Sequence, residues 1–474
     1  MTHSLNRKWK ELLYAATGLG PNMLMVLLGA YFTDAMNPVG LNSDIEYWSL
    51  TGYSLVMPAI FGVLWMIAKV FDGLVDIPLA SLTDNMRTRW GRRRPAIVLA
   101  FVPMVVGYML AWTPLTRTEN SLLNTVWMIV MLLIFFTGYT MSMITFYGSL
   151  SSLCENEAQR LRVSNFKSFF DTISYCVIYA LVPVFIGKGI NIRTLVYIGV
   201  PTMLTMAIPF FLIKEGDKYG QGKDYLPDAK VSMRRSLVMT CRNKLFLQWL
   251  IPHACAYFGL QMFLTAQNTL ISGVMNLGAQ WAAVMNTCAF APVPLMLYLY
   301  YKLVQKKGIR FSYQLCLLTF AVAILNFDIG SEYLFPSNEM ARIVIGCVGG
   351  VLGSFAIGAF FATPCMIPSQ IAAMEYKVTG KDHTAMYFAV QSLATSIVAA
   401  IATGLVYEYI KNLEVPKVIH GVAVAGEQWK VGVSLVPLIV SAMCIVGFFA
   451  CFKMPAHYDE AVVKNSIQKA GTTK

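Results

Sequence analysis

Charged side chains are scarce in this sequence of 474 residues: Asp, Glu, Lys and Arg make up 13% of it, whereas 57% of the residues are hydrophobic. A soluble domain carries about 25% charged residues, so this chain has too few to cover a water-exposed surface. The alternating pattern of a transmembrane β-barrel is missing as well. We therefore predict an all-α polytopic membrane protein, because a helix satisfies its own backbone hydrogen bonds in lipid.

The motifs of several other protein classes are also missing. The ten cysteines show no CxxC and no paired spacing, which argues against disulfides and metal sites. No Gly-x(4)-Gly-Lys-Ser/Thr loop is present to drive transport with ATP. No nucleophile–base pair stands at a recognisable spacing either. We therefore expect no enzymatic activity and no cofactor, and no cleavable signal, because the basic N-terminus runs directly into a span-length apolar segment.

Apolar runs of the roughly 20 residues that a membrane helix needs occur about twelve times. Most of the 37 Lys and Arg residues fall in alternate loops and near the termini, on one side of these spans. The positive-inside rule assigns that side, with both termini, to the cytoplasm. This explains the net charge of +12 without a nucleic-acid partner. The predicted spans cover residues 12–33, 53–83, 95–113, 123–150, 164–187, 194–213, 245–273, 279–301, 312–329, 342–368, 385–410 and 431–452.

The longest polar stretch, residues 214–244, follows the sixth span and lies near the midpoint of the chain. It predicts a cytoplasmic linker between two six-helix bundles, residues 1–213 and 245–453, with a cytoplasmic tail at 454–474. A short basic turn around a glycine recurs after the second and eighth spans, at Gly91 and Gly308. Two parallel six-helix halves are typical of the major facilitator fold.

The second span carries three charged residues, Lys69, Asp72 and Asp76, whose spacings of three and four place them on one helical face. One interpretation is a salt bridge from Lys69 to Asp72 that only ties helices together. However, two carboxylates and one lysine leave a surplus negative charge. A surplus carboxylate within a membrane has to bind a cation, take up a proton or meet another base. A coupling site for H⁺ or Na⁺ is the favoured hypothesis.

Other polar residues lie within or near the spans. Asp171 stands next to Lys167 in the fifth span, and an interfacial ion pair is the favoured interpretation. Amide, hydroxyl and aromatic side chains suit a polyhydroxylated ligand, although each is more often a helix-packing contact. In the fourth span these side chains are Tyr139, Thr140, Ser142, Thr145 and Tyr147.

Three segments resemble the glycoside-pentoside-hexuronide:cation symporter family of the major facilitator superfamily. They are KVFDGLVDIP at 69–78, RWGRRRP at 89–95 and PCMIPSQIAAMEYK at 364–377. The resemblance implies the major facilitator fold and sugar uptake coupled to Na⁺, Li⁺ or H⁺. The family's two cation-binding aspartates match Asp72 and Asp76, and its preceding basic residue matches Lys69.

The resemblance also implies solute contacts. The family's aromatic residue near the sugar falls on Phe360, and its polar pair in the eleventh helix falls on Gln391 and Ser392. Four positions depart from the pattern of the melibiose-transporting members. Asn22 and Ile144 stand where those members have sugar-binding aspartates, Met141 replaces a cation-ligating threonine, and Ser396 replaces a lysine. The departures put melibiose itself in doubt and weaken the case for Na⁺ relative to H⁺.

We therefore predict a secondary active transporter that couples H⁺ or Na⁺ to symport of a sugar, glycoside or related small polar solute by alternating access. Two alternatives stay open: an uncoupled facilitator or exchanger of a lipid, amphiphile or other small solute, and a non-transporting membrane receptor. The only metal ion that we expect is Na⁺, bound at Asp72 and Asp76. The candidate solute contacts are Asn22, Tyr147, Gln261, Phe360, Gln391 and Ser392, and the candidate gating residues are Asp84, Arg89, Gly91, Arg92 and Arg93.

The expected surroundings follow from these assignments. The chain is expected to be a monomer in the lipid bilayer, with a small-molecule solute as its partner. A bacterial inner membrane follows from the resemblance alone.

Overall fold

The computed structural model describes residues 8–86, 88–91, 93–153, 157–213, 240–379, 384–419 and 422–456. Most of the predicted linker and most of the predicted tail lie outside these ranges. Eleven helices in the described residues are long and apolar enough to cross a membrane. The chain divides into two compact units, Met1–Pro38 with Asp44–Asp228 and Val39–Ser43 with Ala229–Lys474.

The described residues of the first unit form six long helices, as its six apolar runs predict. The first of them is interrupted by a 3₁₀ turn at Ala16–Gly18, and the sixth contains a 3₁₀ stretch at Val200–Ala207. The helices are α1 (Lys8–Met36), α2 (Pro58–Asn85), α3 (Arg93–Ala111), α4 (Leu122–Leu153), α5 (Glu157–Gly187) and α6 (Ile192–Leu212).

Two glycines allow α3 and α4 to pack at close range. A Cβ atom on Gly107 of α3 would lie 2.6 Å from the backbone nitrogen of Phe135. A Cβ atom on Gly138 of α4 would lie 2.4 Å from the backbone nitrogen of Met104. Because small residues let helix backbones approach in a membrane, this reciprocal pair fixes the face that α4 turns toward α2 and α1.

The second unit also contains six long helices, and the two halves of the chain are thus alike in helix number among the described residues. Asn243 caps the first of these helices by accepting hydrogen bonds from the backbone N–H groups of Leu245 and Phe246. The helices are α7 (Lys244–Thr269), α8 (Ala279–Lys307), α9 (Ile309–Ile329), α10 (Glu339–Thr379), α11 (Thr384–Ala399 and onward to Ile410) and α12 (Val431–Ala450).

The helix α7 coincides with the seventh predicted span but is not among the eleven apolar ones. Its buried polar side chains lower its hydropathy; they include His253, Gln267 and Asn268. The sequence prediction of about twelve spans thus agrees with twelve long helices in the described residues, one of which is unusually polar.

A wider π-helical turn follows α7 at Leu270–Val274, and a π-helical stretch interrupts α11 at Ala400–Tyr407. The two segments lie side by side, because the hydroxyl of Tyr407 is 2.7 Å from Oγ1 of Thr269. Stretches of π-helix are rare and occur frequently at functional sites.

The repeated basic turns have the same backbone feature. Gly91, just before α3, has φ +89°, and Gly308, between α8 and α9, has φ +80°. Both values lie in the left-handed region that glycine adopts without a Cβ clash. The turn predicted from the repeat therefore has a common physical basis in the two halves.

A β-hairpin joins α11 to α12, in a segment for which the sequence analysis made no structural prediction. Strands β1 (Val415–Ile419) and β2 (Val422–Trp429) pair antiparallel, with an irregular register after Pro416. Lys417 of β1 contacts Glu332 at 3.0 Å and Glu427 at 2.8 Å. Burial disfavours the charged form of Lys417, but the hydrogen bonds to Glu427 and Glu332 outweigh that effect and raise its pKa.

Candidate functional site

The second helix presents Asp72 to a hydroxyl group on α4. Thr140 Oγ1 lies 3.2 Å from Asp72 Oδ1 and donates a hydrogen bond to it. Asp76 lies one turn farther along α2 and is half-buried, as Asp72 is. Two carboxylates and a hydroxyl therefore come together between α2 and α4, and oxygen atoms of this kind are the ligands that hard cations prefer.

Lys69, the third charged residue of this cluster, points its ammonium at aromatic rings. Lys69 Nζ lies 5.3 Å from the ring centroid of Trp65 and 5.1 Å from that of Phe136. A cation above a ring face is attracted by the ring quadrupole. No ion pair between Lys69 and Asp72 occurs among those that the described residues form. The charge of Lys69 is therefore near enough to act on the carboxylates, although in the described part of the chain Lys69 forms no ion pair with Asp72.

A second polar network joins α1, α4 and α5. Asn22 Nδ2 donates to Asp171 Oδ1 at 2.7 Å, and its Oδ1 accepts from the hydroxyl of Tyr139 at 2.8 Å. Lys167 Nζ contacts the other carboxylate oxygen of Asp171 at 2.7 Å. The predicted pair of Lys167 and Asp171 is thus confirmed. It is not isolated, because Asn22, a predicted solute contact, is bonded to it.

The two clusters meet at neighbouring residues of one helix. Tyr139 belongs to the Asn22 network and Thr140, the next residue of α4, contacts Asp72. Successive residues of an α-helix point about 100° apart, so α4 lies between the two clusters and touches both. The sequence analysis noted both residues as polar but assigned neither to a site. Hydroxyl groups inside an apolar run were the available signal.

Two positions that depart from the family pattern lie in apolar surroundings. Met141 is buried in a cluster with Leu79, Ala96 and Ala100, and Ile144 packs against the same cluster. Neither side chain belongs to the polar networks. The hydroxyl that contacts Asp72 stands one residue earlier, on Thr140.

The predicted gating loop is described in part. Arg89 is exposed and lies 5.4 Å from the ring centroid of Trp90, while Arg93 is buried at the start of α3. The backbone N–H of Gly91 donates to the carbonyl of Thr88 at 2.9 Å, which closes a tight turn. Arg92 and the side chain of Asp84 lie outside the described residues.

Two predicted solute contacts of the second unit are engaged in packing. Phe360 is buried and meets the rings of Tyr313 and Phe320 at centroid distances of 5.8 and 5.3 Å. Gln391 Oε1 accepts from Trp249 Nε1 at 3.1 Å, and its Nε2 donates to a backbone carbonyl of α10.

The remaining candidate solute contacts are Gln261, Ser392 and Tyr147. Gln261 of α7 and Ser392 of α11 are half-buried in the second unit. Tyr147 lies in α4, but its side chain is outside the described part of the chain. The geometry therefore brings Asn22 together with other polar groups and leaves the roles of Gln261, Ser392 and Tyr147 as predictions.

The sequence analysis missed one buried pair of charges. Lys411 Nζ lies 2.9 Å from Glu408 Oε1, and the side chains are 0% and 1% exposed. The ammonium of Lys411 also lies 5.3 Å from the ring centroid of Tyr407. The spacing of three residues and the position just after an apolar run were the signals that could have indicated it.

Comparisons with known proteins agree with this architecture. A family model described as MFS/sugar transport protein matches residues 13–456. An uncharacterized symporter of Synechocystis sp. is 25% identical over 148 residues, which cover 30% of this chain and 27% of that protein. A human membrane-associated transporter protein is 26% identical over 99 residues, 21% of this chain and 16% of that protein. The chain thus matches at most about a quarter of the length of these relatives.

Solved structures show the same fold. A D-xylose-proton symporter superposes with a TM-score of 0.62 at 13% identity, over 94% of this chain and 98% of that one. The nucleoside transporter NupG gives a TM-score of 0.59 at 12% identity, over 95% and 98% of the two chains. At such low identity the likeness shows the fold alone. The predicted fold and the family resemblance are confirmed: the chain belongs to the MFS/sugar transport protein family and has the fold of the major facilitator superfamily.

Proposed function

We propose that this transporter is a symporter, driven by H⁺ or Na⁺, for a sugar, glycoside or related small polar solute. One observation carries the proposal: consecutive residues of α4, Tyr139 and Thr140, contact a hydrogen-bonding network and a carboxylate cluster. Symport requires that the affinity for one ligand depend on the other. A helix that touches both candidate sites provides a short physical route for that dependence.

The carboxylate cluster supports a cation site. Asp72 and Asp76 bring two negative charges against the single positive charge of Lys69, so the cluster attracts one more positive charge. The ammonium of Lys69 rests on Trp65 and Phe136, which stabilise it whether or not a cation is present. We assign Lys69 the role of tuning the carboxylates and of balancing their charge when the site is empty.

The network around Asn22 supports a polar solute. Amide, phenol, carboxylate and ammonium groups converge there, and they offer both donors and acceptors to hydroxyl groups. Lys167 and Asp171 are not fully enclosed by the protein, since their side chains are 24% and 29% exposed. A hydroxylated ligand can replace bonds within this network by its own, whereas a lipid tail has no donor or acceptor with which to do so. The network therefore favours a polar solute over the uncoupled lipid facilitator.

The orientation of the chain in the membrane is part of the proposal. Both termini lie in the cytoplasm because the basic loops share their side. The turn at Gly91 and its arginines would then act as a latch on the cytoplasmic face. The proposed transporter works as a monomer in a plasma membrane.

A saccharide panel tests the solute class. Purified protein is unfolded by heat with each sugar, in Na⁺ or in K⁺, at two pH values. We expect at least one sugar or glycoside to raise the midpoint by mass action, and Na⁺ or pH to change its apparent affinity. If no sugar shifts the midpoint under any ion condition, the solute assignment is wrong.

A substitution on α4 tests the cation site. Thr140→Val removes the hydroxyl that contacts Asp72. With Na⁺ coupling we expect the Na⁺ concentration for half-maximal uptake to rise about tenfold, the effect of roughly 1.4 kcal/mol. With H⁺ coupling we expect the half-maximal H⁺ concentration to fall instead, because a carboxylate that loses a hydrogen-bond donor is protonated more easily. Uptake into proteoliposomes is measured against Na⁺ concentration and pH. The matched control is Thr137→Val, since that hydroxyl donates only to the carbonyl of Leu133 in its own helix, at 2.8 Å. Equal effects of the two substitutions would remove Thr140 from the site.

A further inference from the structure

The tenth helix contains two prolines at a spacing of four, Pro364 and Pro368. In an α-helix the carbonyl of one residue accepts the N–H of the residue four positions later. Proline has no N–H, so Pro368 cannot donate to the carbonyl of Pro364. That carbonyl has no donor within its own helix at this register, and a buried carbonyl in this situation needs one from elsewhere.

Gln391 of α11 supplies the missing donor. Its Nε2 lies 3.1 Å from the carbonyl oxygen of Pro364, and the residue is 7% exposed. The other end of the same amide is held as well, because Trp249 Nε1 of α7 donates to Gln391 Oε1 at 3.1 Å. The indole of Trp249 is fully buried and stacks on His253 at a centroid distance of 4.9 Å. One amide therefore connects three helices of the second unit.

The contact lies near the point along α10 where the apolar, membrane-spanning part of the helix ends. The helix has 41 residues, Glu339–Thr379, so at 1.5 Å per residue it is about 60 Å long, roughly twice the hydrocarbon thickness of a bilayer. Its apolar stretch ends at Pro368. The two prolines thus separate a membrane-spanning part from a further eleven residues that continue beyond the apolar stretch. Missing backbone bonds at prolines are the usual cause of helix kinks.

We propose that Pro364–Pro368 is a hinge in α10 and that Gln391 is the positioning residue that holds it closed. The amide of Gln391 replaces the hydrogen bond that Pro368 cannot make, so α10 stays continuous while this contact lasts. When the contact breaks, the segment after Pro368 moves relative to the segment before it. In this role Gln391 acts through the backbone of α10. The inference rests on the chain being a transporter and not on the identity of its solute or coupling ion.

A double-mutant cycle tests the hinge without any ligand. Gln391→Leu removes the donor at similar volume, and Pro368→Ala restores a backbone N–H at the position that should donate to the carbonyl of Pro364. Hydrogen–deuterium exchange is measured by mass spectrometry on peptides covering 365–379, with the purified full chain in lipid nanodiscs. We expect Gln391→Leu to speed exchange there about tenfold. In the Pro368→Ala background the same substitution should have no effect, because the helix then satisfies its own carbonyl.

A second substitution on α11 serves as the control. Thr403→Val on α11 removes a hydroxyl that donates to Ala399 of its own helix, and it should leave exchange at 365–379 unchanged. If Gln391→Leu speeds exchange equally with and without Pro368→Ala, or has no effect in either, the proposal is wrong. Should Gln391→Leu fail to fold, Pro368→Ala alone decides, since it must slow exchange at 365–379. A negative saccharide panel would leave these outcomes untouched.

Discussion

Replacing Asp72 with Asn will abolish uptake against a concentration gradient. The substitution keeps the size of the side chain and its contact with Thr140 but removes the negative charge that would attract the cation. Because symport depends on differential binding of the cation across the cycle, a site without this charge has no means of using the gradient. We expect accumulation of the solute in proteoliposomes to fall from well above equilibrium to equilibrium, while exchange across the membrane continues.

The matched control for this experiment is Asp44→Asn. Asp44 lies in the loop after α1 with φ +55°, a left-handed conformation that Asn adopts as readily as Asp. The same chemical change outside the cluster should leave accumulation intact. If accumulation persists in Asp72→Asn, the carboxylate is not the coupling group and the cation site lies elsewhere.

Replacing Lys411 with Met will destabilise the second unit more than other single charge removals in it. The substitution leaves Glu408, 1% exposed, without the ammonium that lies 2.9 Å away. Breaking a buried ion pair from one side costs about 3–5 kcal/mol, because the remaining charge stays buried. The loss is measured as a lower midpoint of thermal unfolding in one detergent.

Substituting Glu408 as well distinguishes two causes of lost stability, an unpaired buried charge and lost packing. In the double variant Glu408→Gln/Lys411→Met no uncompensated charge remains, and most of the lost stability should return. Lys430→Met serves as the comparison: Lys430 contacts Glu414 at 2.7 Å, but the side chains are 11% and 17% exposed and keep contact with solvent. Its effect should be clearly smaller. A double variant as unstable as Lys411→Met would show that the ammonium matters for packing rather than for charge.

The helices were predictable because a membrane span requires a run of roughly 20 apolar residues, and such runs are visible in the sequence. Runs of apolar residues predicted six helices on each side of a polar linker, and the polar helix α7 was recognised from its length despite its buried amides. The ends were harder to predict. The helix α10 continues to Thr379 although its apolar stretch ends at Pro368, since helix formation does not stop where the lipid does.

Other features depend on contacts that a single sequence does not reveal. The π-helical turn at Ala400–Tyr407 changes the periodicity that pattern reading assumes. The hairpin at 415–429 is held by side chains far away in sequence, such as Glu332. Its strands are rich in Val and Ile, so β propensity was a local signal for them that the search for membrane spans did not use.

The candidate site was partly predictable for the same reason. The spacing of Lys69, Asp72 and Asp76 gave a common helical face directly. That Thr140 meets Asp72, and that Asp171 meets Asn22, depends on how α1, α2, α4 and α5 pack. Gln391 was predicted to contact solute, a role that stays a prediction, while its observed partners are Trp249 and the carbonyl of Pro364.

The apolar packing of Met141 and Ile144 constrains how substrate preference can change in this lineage. An aspartate introduced at position 144 would face Leu79, Ala96 and Ala100, with no hydrogen-bond donor among those three side chains. A carboxylate introduced at this position would therefore carry a desolvation penalty against these side chains before any gain in binding. Polar residues in place of the surrounding alanines and leucine would lower that penalty. Selection for a new sugar would accordingly begin in α2 and α3, with the charge on α4 arriving last.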